Sequence, residues 1–207
     1  MKIILYGATS KAGSRILQEL NARGHQVTAV ALDASMLPAG TKSHHGDLSN
    51  VDDIATVIKD ADAVVSAYTP PFNDTDQLIG VTERLIQAIE ESGPIRLIVV
   101  GGAGSLEVAP GVTLLESGEL PIEWVPIATA HDNALKLLRV SSIDWTYFSP
   151  AGLFEPGERT GKFRLGDNHI VTDATGHSRI SMEDYAIALV DELEKPAHHR
   201  SQFTAAY

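Results

Sequence analysis

The sequence contains no cysteine among its 207 residues, and it has no long apolar run. The absence of cysteine excludes disulfides, a thiol nucleophile and thiolate metal sites. The first apolar run, residues 3–6, is too short for a signal segment, and no later run approaches the ~20 apolar residues that span a bilayer. We therefore expect a soluble, cytoplasmic protein without a membrane partner.

Basic residues are also scarce. Lysine and arginine number 16 against 27 aspartates and glutamates, which gives a formal net charge of -11 at pH 7. An acidic surface repels a phosphodiester backbone, so we expect no nucleic-acid partner. The adjacent pairs His44-His45 and His198-His199 lack spaced carboxylate partners, and we expect no metal site.

Short apolar segments alternate with amphipathic ones along the chain. Residues 3–6 form a continuous apolar run typical of a strand buried on both faces, and residues 27–31 form a second. Between them apolar residues recur with helical spacing as far as Arg23, and Gly24 is a typical helix stop. The repeated alternation predicts a single α/β domain over residues 1–207, with a Rossmann-type, doubly wound, mostly parallel sheet.

The remaining elements extend this alternation. A third strand is predicted to end at residues 44–47. Further strands are predicted at 63–66, 96–100, 145–149 and 202–207. Further helices are predicted from a Ser49 cap through Lys59, up to residues 92–93, from about Ile127 to Val140, and after a Ser181 cap. Two long connections, at about 101–126 and 150–169, are expected to cover a substrate.

The turn after the first strand is rich in glycine. Gly7 suits a tight turn, and Gly13 lets the following helix pack close to the sheet. Helix N-terminal amides at that position attract a pyrophosphate, and Lys11 adds a cation. Ser10 stands where related loops often carry glycine, and it offers a hydroxyl donor. The strand, helix and second strand around the turn favour dinucleotide binding over a purely structural turn.

Acidic residues follow the next two predicted strands. Asp33 can accept hydrogen bonds from a ribose and repel a 2′-phosphate, which favours NADH, or it is an ordinary turn aspartate. Asp47 can reach the adenine edge, or it is an ordinary loop residue. Gly101 lets the chain pass close to the nicotinamide, or it belongs to a flexible turn. The expected cofactor contacts are Gly7, Thr9, Ser10, Lys11, Ala12, Gly13, Leu32, Asp33, Asp47, Leu48, Ala67, Tyr68, Gly101 and Pro150.

Several blocks resemble a known family. The sequences GATSKAG (7–13), GGAGSL (101–106), SPAGLFEPGERTG (149–161) and ISMEDYAIALVDELEKPAHH (180–199) resemble atypical short-chain dehydrogenases/reductases, over essentially the whole chain. Within that group they are similar to the NmrA-like, NAD(P)H-binding proteins of the NADH-flavin reductase type, which are related to biliverdin reductase B. The resemblance implies a Rossmann fold and NAD(P)H as the cofactor.

Two residues depart from the pattern of these relatives. The loop of the family usually reads GATGxxG, whereas this chain has Ser10 at the middle glycine. Relatives often carry an arginine for the 2′-phosphate of NADP at the position of Leu32. Lys11 can partly compensate, so the choice between NADH and NADPH stays open.

The tyrosines restrict the chemistry. None of Tyr6, Tyr68, Tyr147 and Tyr185 is followed four residues later by lysine, so the Tyr-x-x-x-Lys pair of carbonyl-reducing relatives is missing. A flavin or quinone-like acceptor delocalises the added charge and needs no such pair, which favours FMN, FAD or a quinone as the substrate. The second hypothesis is a non-catalytic, NmrA-like regulator that senses the dinucleotide. Either protein is expected to be a monomer or a homodimer.

Aromatic residues and one histidine complete the set of candidates. A stacking wall for the acceptor is expected among Tyr68, Phe72, Phe148 and Phe154, each of which could instead be core. His131, at the start of a predicted helix, is the candidate catalytic residue. It is expected to donate a proton or to contact the substrate; the alternative is an ordinary surface histidine at a helix start.

Overall fold

Strands and helices alternate through most of the chain, and the computed structural model describes residues 1–207. The strands are β1 (Lys2–Tyr6), β2 (Gln26–Ala31), β3 (Ser43–His45), β4 (Ala63–Ser66), β5 (Arg96–Val100), β6 (Glu107–Ala109), β7 (Val112–Thr113), β8 (Trp145–Ser149), β9 (Leu153–Glu155), β10 (Arg164–Gly166), β11 (Arg179–Ser181) and β12 (Ser201–Ala206). The helices are α1 (Lys11–Ala22), α2 (Val51–Ile58), α3 (Gln77–Ser92), α4 (Val125–Val140) and α5 (Met182–Glu194).

The central sheet has eight strands in the order β10-β12-β8-β5-β4-β1-β2-β3. All neighbouring pairs are parallel except β10 and β12. The strand order reverses at β1, which lies between β2 and β4, and a sheet of this kind binds ligands beyond the carboxyl ends of its strands at that reversal. The predicted single α/β domain with a doubly wound, mostly parallel sheet is confirmed.

Two apolar layers cover the sheet. Helices α1 and α5 pack on one face, where Ile16 of α1 and Leu189 of α5 are fully buried over Leu5 of β1. Helices α2, α3 and α4 pack on the other face, where Ile54 and Leu85 are buried. Each such side chain contributes roughly 1.5–3 kcal/mol when it leaves water. The continuous apolar strands follow from this arrangement, since both of their faces are covered.

Two helix boundaries differ from the sequence expectation. Helix α2 is capped by Asn50, whose side-chain oxygen accepts hydrogen bonds from the N–H groups of Asp52 and Asp53. The predicted Ser49 cap is wrong, because the Ser49 hydroxyl donates to Asp47 instead. Helix α4 begins at Val125 rather than near Ile127, since a proline in the first turn needs no N–H and starts a helix readily.

The two long connections contain strands that the sequence did not predict. Strands β6 and β7 form a hairpin within 101–126, whereas β10 joins the edge of the central sheet and β9 pairs in parallel with β11. Strand β3 is shorter than expected and ends at His45, before Gly46 and Asp47. None of the helices is both long and apolar enough to cross a membrane. The cytoplasmic location stays a prediction.

Candidate functional site

The first glycine loop, residues 7–13, joins β1 to α1 at the reversal of strand order. Gly7 has a φ of 75°, and a Cβ atom there would lie 2.2 Å from the carbonyl oxygen of Ala67, just beyond β4. A Cβ atom at Gly13 would lie 2.0 Å from the carbonyl oxygen of Gly7. Both glycines are therefore required by backbone contact, which brings the start of α1 against the ends of β1 and β4.

Ser10 is the N-cap of α1. Its Oγ accepts a hydrogen bond from the Gly13 N–H at 3.0 Å, and its hydroxyl donates to the Ala67 carbonyl at 3.2 Å. The fold itself uses the hydroxyl proton of Ser10, and a contact of Ser10 with a phosphate stays a prediction.

Backbone amides of the same loop stay free. The N–H groups of Thr9, Lys11 and Ala12 make no hydrogen bond within the chain. Unpaired amides at the N-terminus of a helix are the usual partners of a phosphate group. The first glycine loop therefore fits the pyrophosphate of a dinucleotide, with the backbone of Thr9, Lys11 and Ala12 as its donors.

Asp33 and Asp47 lie just beyond β2 and β3, on the same edge of the sheet. Asp33 uses only Oδ1 in hydrogen bonding, with the Ser35 N–H at 2.9 Å. Asp47 likewise uses only Oδ1, with the N–H and hydroxyl of Ser49. The Oδ2 atom of each carboxylate has no partner in the chain and can accept hydrogen bonds from ribose hydroxyls.

The two residues beside these aspartates differ in exposure. Leu32 is 65% exposed, whereas Leu48 is buried and its carbonyl oxygen accepts a hydrogen bond from Arg84 Nε at 2.5 Å. Neither side chain carries a charge. Their predicted contacts with the cofactor can therefore be only apolar or through the backbone.

Four further predicted contacts follow β4, β5 and β8. Ala67 and Pro150 are buried, and Tyr68 is half-buried with its hydroxyl donating to Gln77 Oε1 at 3.0 Å. A Cβ atom at Gly101 would lie 2.3 Å from the ring of Tyr147, so that ring is what requires glycine here. All four lie at the carboxyl edge of the sheet, and their roles toward a cofactor stay predictions.

The four candidates for a stacking wall have different environments. Phe148 is buried between the rings of Tyr185 and Phe203, with centroids at 3.9 and 4.1 Å, so of its two interpretations the structure shows core. Phe154 packs on Tyr185 at 4.7 Å and is partly buried.

Phe72 is the exposed member of the set. It is 66% exposed and meets Trp124 edge to face, with a centroid distance of 5.5 Å. Trp124 was not predicted, because its contact with Phe72 joins two connections that are distant in sequence. The pair lies on the connections that follow β4 and β5, and it leaves exposed aromatic surface near the candidate site.

His131 lies in the second turn of α4, since the helix starts earlier than expected. Its Nδ1 is 3.1 Å from the hydroxyl of Tyr147, which also lies 3.0 Å from the His131 carbonyl oxygen. The same hydroxyl accepts a hydrogen bond from the Gly102 N–H at 3.1 Å. Burial lowers the pKa of His131 to about 4, so the ring is neutral at pH 7 and is a poor proton donor.

A second glycine loop, residues 157–162, is fastened to α1 and α5. Asp184 is fully buried and accepts hydrogen bonds from the Thr160 N–H, the Gly161 N–H and two hydroxyls. Glu183 accepts from the Gly157 N–H at 2.7 Å. Arg159 forms a two-pronged ion pair with Glu19 of α1. These contacts hold the loop to the two helices of one face, and no local sequence pattern indicates them.

A cavity of about 420 Å³ lies beside the second glycine loop. It is lined by residues of β9, β11 and the loop itself, including Glu155, Lys162 and Arg179. None of the predicted cofactor contacts lines it. Nowhere in the chain do three or more His, Asp or Glu side chains converge in a way that could hold a metal ion.

Known proteins match this chain along its whole length. The Bacillus subtilis protein YwnB is 40% identical over 213 residues, which cover 99% of this chain and 97% of YwnB. A solved Bacteroides thetaiotaomicron structure, described as a candidate epimerase, is 42% identical with a TM-score of 0.92, covering 100% of this chain and 96% of the other. A Streptococcus pneumoniae structure, described as a candidate NADH-flavin reductase, is 34% identical with a TM-score of 0.92, covering 100% and 99%.

The sequence also matches the family described as NAD(P)H-binding over residues 7–196. That range begins at Gly7 and contains the free amides of the first glycine loop together with both aspartates. This protein therefore belongs to the NAD(P)H-binding family.

Proposed function

We propose that this protein is an NAD(P)H-dependent oxidoreductase that passes hydride to a flavin or quinone-like acceptor. The observation that carries the proposal is a set of unpaired amides at the start of α1, together with three candidate donors, His131, Tyr147 and Tyr68, that are poorly suited to donate a proton at neutral pH. The bound cofactor would supply the hydride. The residues of the chain bind and orient the reactants.

The lack of a proton donor selects the class of acceptor. His131 is neutral at pH 7 because burial lowers its pKa to about 4. Burial raises the pKa of both Tyr147 and Tyr68, and each hydroxyl already has a hydrogen-bond partner within the chain. A reduced carbonyl needs such a donor, whereas a reduced flavin or quinone spreads its charge over the ring and takes a proton from water.

Asp33 favours NADH as the cofactor. Hydrogen bonding by Ser35 lowers the pKa of Asp33, so its carboxylate is charged at neutral pH and repels a 2′-phosphate. We expect a lower Kd for NADH than for NADPH in titration calorimetry. Asp33→Asn should reduce this difference, and an unchanged preference in that variant would contradict the role of Asp33.

Turnover is tested with NADH and NADPH against two acceptors, FMN and menadione. The expected result is that the absorbance of the reduced nicotinamide falls when either FMN or menadione is added. A simple aldehyde or ketone serves as the control and should not be reduced. Binding of the cofactor without turnover of either acceptor would reject the proposal.

One observation favours the alternative of a non-catalytic, dinucleotide-sensing regulator. Phe72, Trp124 and Ile122 are exposed apolar residues on neighbouring connections, and apolar surface of this kind suits a protein partner. The regulator binds NAD(P)H without turnover. Its cofactor should change the affinity for that partner.

A further inference from the structure

Tyr147, which is fully buried, and His131, which is half-buried, form a pair next to the exit of β5. The Tyr147 oxygen has three neighbours at hydrogen-bonding distance: the Gly102 N–H, the His131 carbonyl oxygen and His131 Nδ1. A tyrosine hydroxyl has one hydrogen to donate and two lone pairs with which to accept. The identity of each neighbour therefore restricts where the hydrogens lie.

Only one arrangement makes all three contacts hydrogen bonds. The Gly102 N–H can only donate, and the His131 carbonyl can only accept, so the tyrosine proton points to that carbonyl. Nδ1 must then carry a hydrogen and donate it to the second lone pair of Tyr147. In the other tautomer, Nδ1 and the His131 carbonyl both need the single tyrosine proton, so one of these two contacts is left without a hydrogen.

The tautomer determines what His131 can do. With the hydrogen on Nδ1, Nε2 carries an unprotonated lone pair and is a hydrogen-bond acceptor. Nε2 makes no hydrogen bond within the chain, and the His131 side chain is only half-buried. The imidazole packs against Gly102, where an added Cβ would lie 2.9 Å from Cγ of His131.

We propose that Tyr147 is a positioning residue that fixes His131 as the Nδ1–H tautomer, so that Nε2 accepts a hydrogen bond from an amide or imide N–H of a bound ligand. This inference rests on the dinucleotide binding of the proposed function and replaces the proton-donor interpretation of His131 with a binding role. Two ligands carry such a donor: the carboxamide of the nicotinamide and the imide of a flavin ring.

The tautomer is measured directly by long-range ¹H–¹⁵N NMR of the histidine rings at pH 7, without any ligand. His131→Gln identifies the signals of His131 by their loss. We expect Nδ1 protonated and Nε2 unprotonated in the wild type, and a mixture of tautomers in Tyr147→Phe. A protonated Nε2 in the wild type would overturn the proposal, as would an unchanged single tautomer in Tyr147→Phe. If Tyr147→Phe does not fold, the wild-type spectrum still decides.

The binding role is tested with His131→Gln and His131→Asn as a matched pair. A glutamine oxygen can replace Nε2, whereas the shorter asparagine reaches only the position of Nδ1. We expect His131→Asn to weaken binding of the donor-bearing ligand by about 3- to 10-fold, the effect of one neutral hydrogen bond, and His131→Gln to recover most of it. Equal behaviour of both variants and the wild type would contradict the role.

The choice of ligand separates the two sources of the donor. If Nε2 accepts from the nicotinamide carboxamide, His131→Asn raises the Kd of NADH, which calorimetry measures without turnover. If it accepts from a flavin imide, the Kd of NADH is unchanged, the Kd of FMN rises in calorimetry, and the Kd of menadione, which has no N–H, does not. The NMR and calorimetric results do not depend on activity, so a failure of the proposed reaction is distinguishable from a failure of this inference.

Discussion

The two glycine loops contain similar groups and use them in opposite ways. In the first, residues 7–13, the N–H groups of Thr9, Lys11 and Ala12 have no partner in the chain. In the second, residues 157–162, the N–H groups of Gly157, Thr160 and Gly161 are taken by Glu183 and Asp184. The carboxylates of α5 therefore accept hydrogen bonds from the amides of the second loop, as the phosphates of a bound ligand would from the amides of the first. A glycine-rich loop is a binding site only where the chain leaves its amides unpaired.

The largest effect on stability is expected when the second glycine loop loses the buried carboxylate of Asp184. Asp184→Ala leaves several donors without their acceptor and should lower the free energy of unfolding by about 2–4 kcal/mol. Urea denaturation measures this change. Calorimetry should show an unchanged affinity for NADH, because no group of the first loop is altered.

Asp184→Asn is the matched control for that variant. It keeps one acceptor oxygen in the same place and should cost less stability than Asp184→Ala. A stability equal to that of the wild type in Asp184→Ala would contradict the structural role of the second loop, and so would a large loss of NADH affinity.

The first glycine loop can be tested by removing one amide hydrogen. Lys11 is the first residue of α1, where proline is well tolerated, and Ser10 before it has the extended conformation that proline requires. Lys11→Pro deletes the free N–H and should raise the Kd of NADH about tenfold relative to Lys11→Ala, because a hydrogen bond to a charged phosphate is lost.

Lys11→Ala removes only the charge, so it isolates the contribution of the amide. Both variants should unfold at nearly the wild-type denaturant concentration. Equal affinities in the two variants would mean that this amide does not contact the cofactor.

A moderate effect is expected from pH at the attachment of the second loop to α1. Burial alone would raise the pKa of Glu19, but hydrogen bonds from Arg159 and Arg23 outweigh it and lower the pKa below its ordinary 4.5. Because the folded pKa is below the unfolded one, this carboxylate stabilises the fold above pH 4.5, and the contribution is lost as the pH falls through the folded pKa. Glu19→Gln should make the unfolding free energy less dependent on pH in the acid range. The same acid dependence in variant and wild type would disprove the role of this carboxylate.

The smallest effect is expected at Ser10. Ser10→Ala removes the N-cap and should cost about 1 kcal/mol of stability, whereas Ser10→Gly should cost only a few tenths of that. Neither should change the affinity for NADH by more than about twofold, an amount well below one hydrogen bond, because the Ser10 hydroxyl faces Ala67. A tenfold loss of NADH affinity in Ser10→Ala would contradict this expectation and show that the hydroxyl donates to the phosphate.

The sequence predicted the parts of the fold that depend on local pattern. Residues 63–66 and 96–100 are strands as expected, since continuous apolar runs have one stable arrangement in a sheet covered on both faces. Ser181 caps α5 as predicted, with its oxygen accepting from the Asp184 N–H. The sequence also predicts that Gly7, Asp33 and Asp47 lie at the same edge of the sheet, because each follows a strand and parallel strands end on the same side.

Features that depend on distant partners could not be predicted. Phe148 lies near the end of a strand, where its ring could face either a ligand or the core. Only its packing between Tyr185 and Phe203 shows that it is core. The free and occupied amides of the two glycine loops look alike in sequence, because Asp184 is remote from the amides it binds. No local pattern links Tyr147 to His131, because Tyr147 lies in β8 and His131 in α4, and only the fold brings the two side chains together.

Helix α1 completes its packing only against α5, although most of the chain lies between them. Contacts of such long sequence separation close late and slow the acquisition of the native state. Helix α1, with the first glycine loop at its start, therefore gains its full native packing only once α5 has folded. Cofactor added during refolding should stabilise the product without accelerating the early phases.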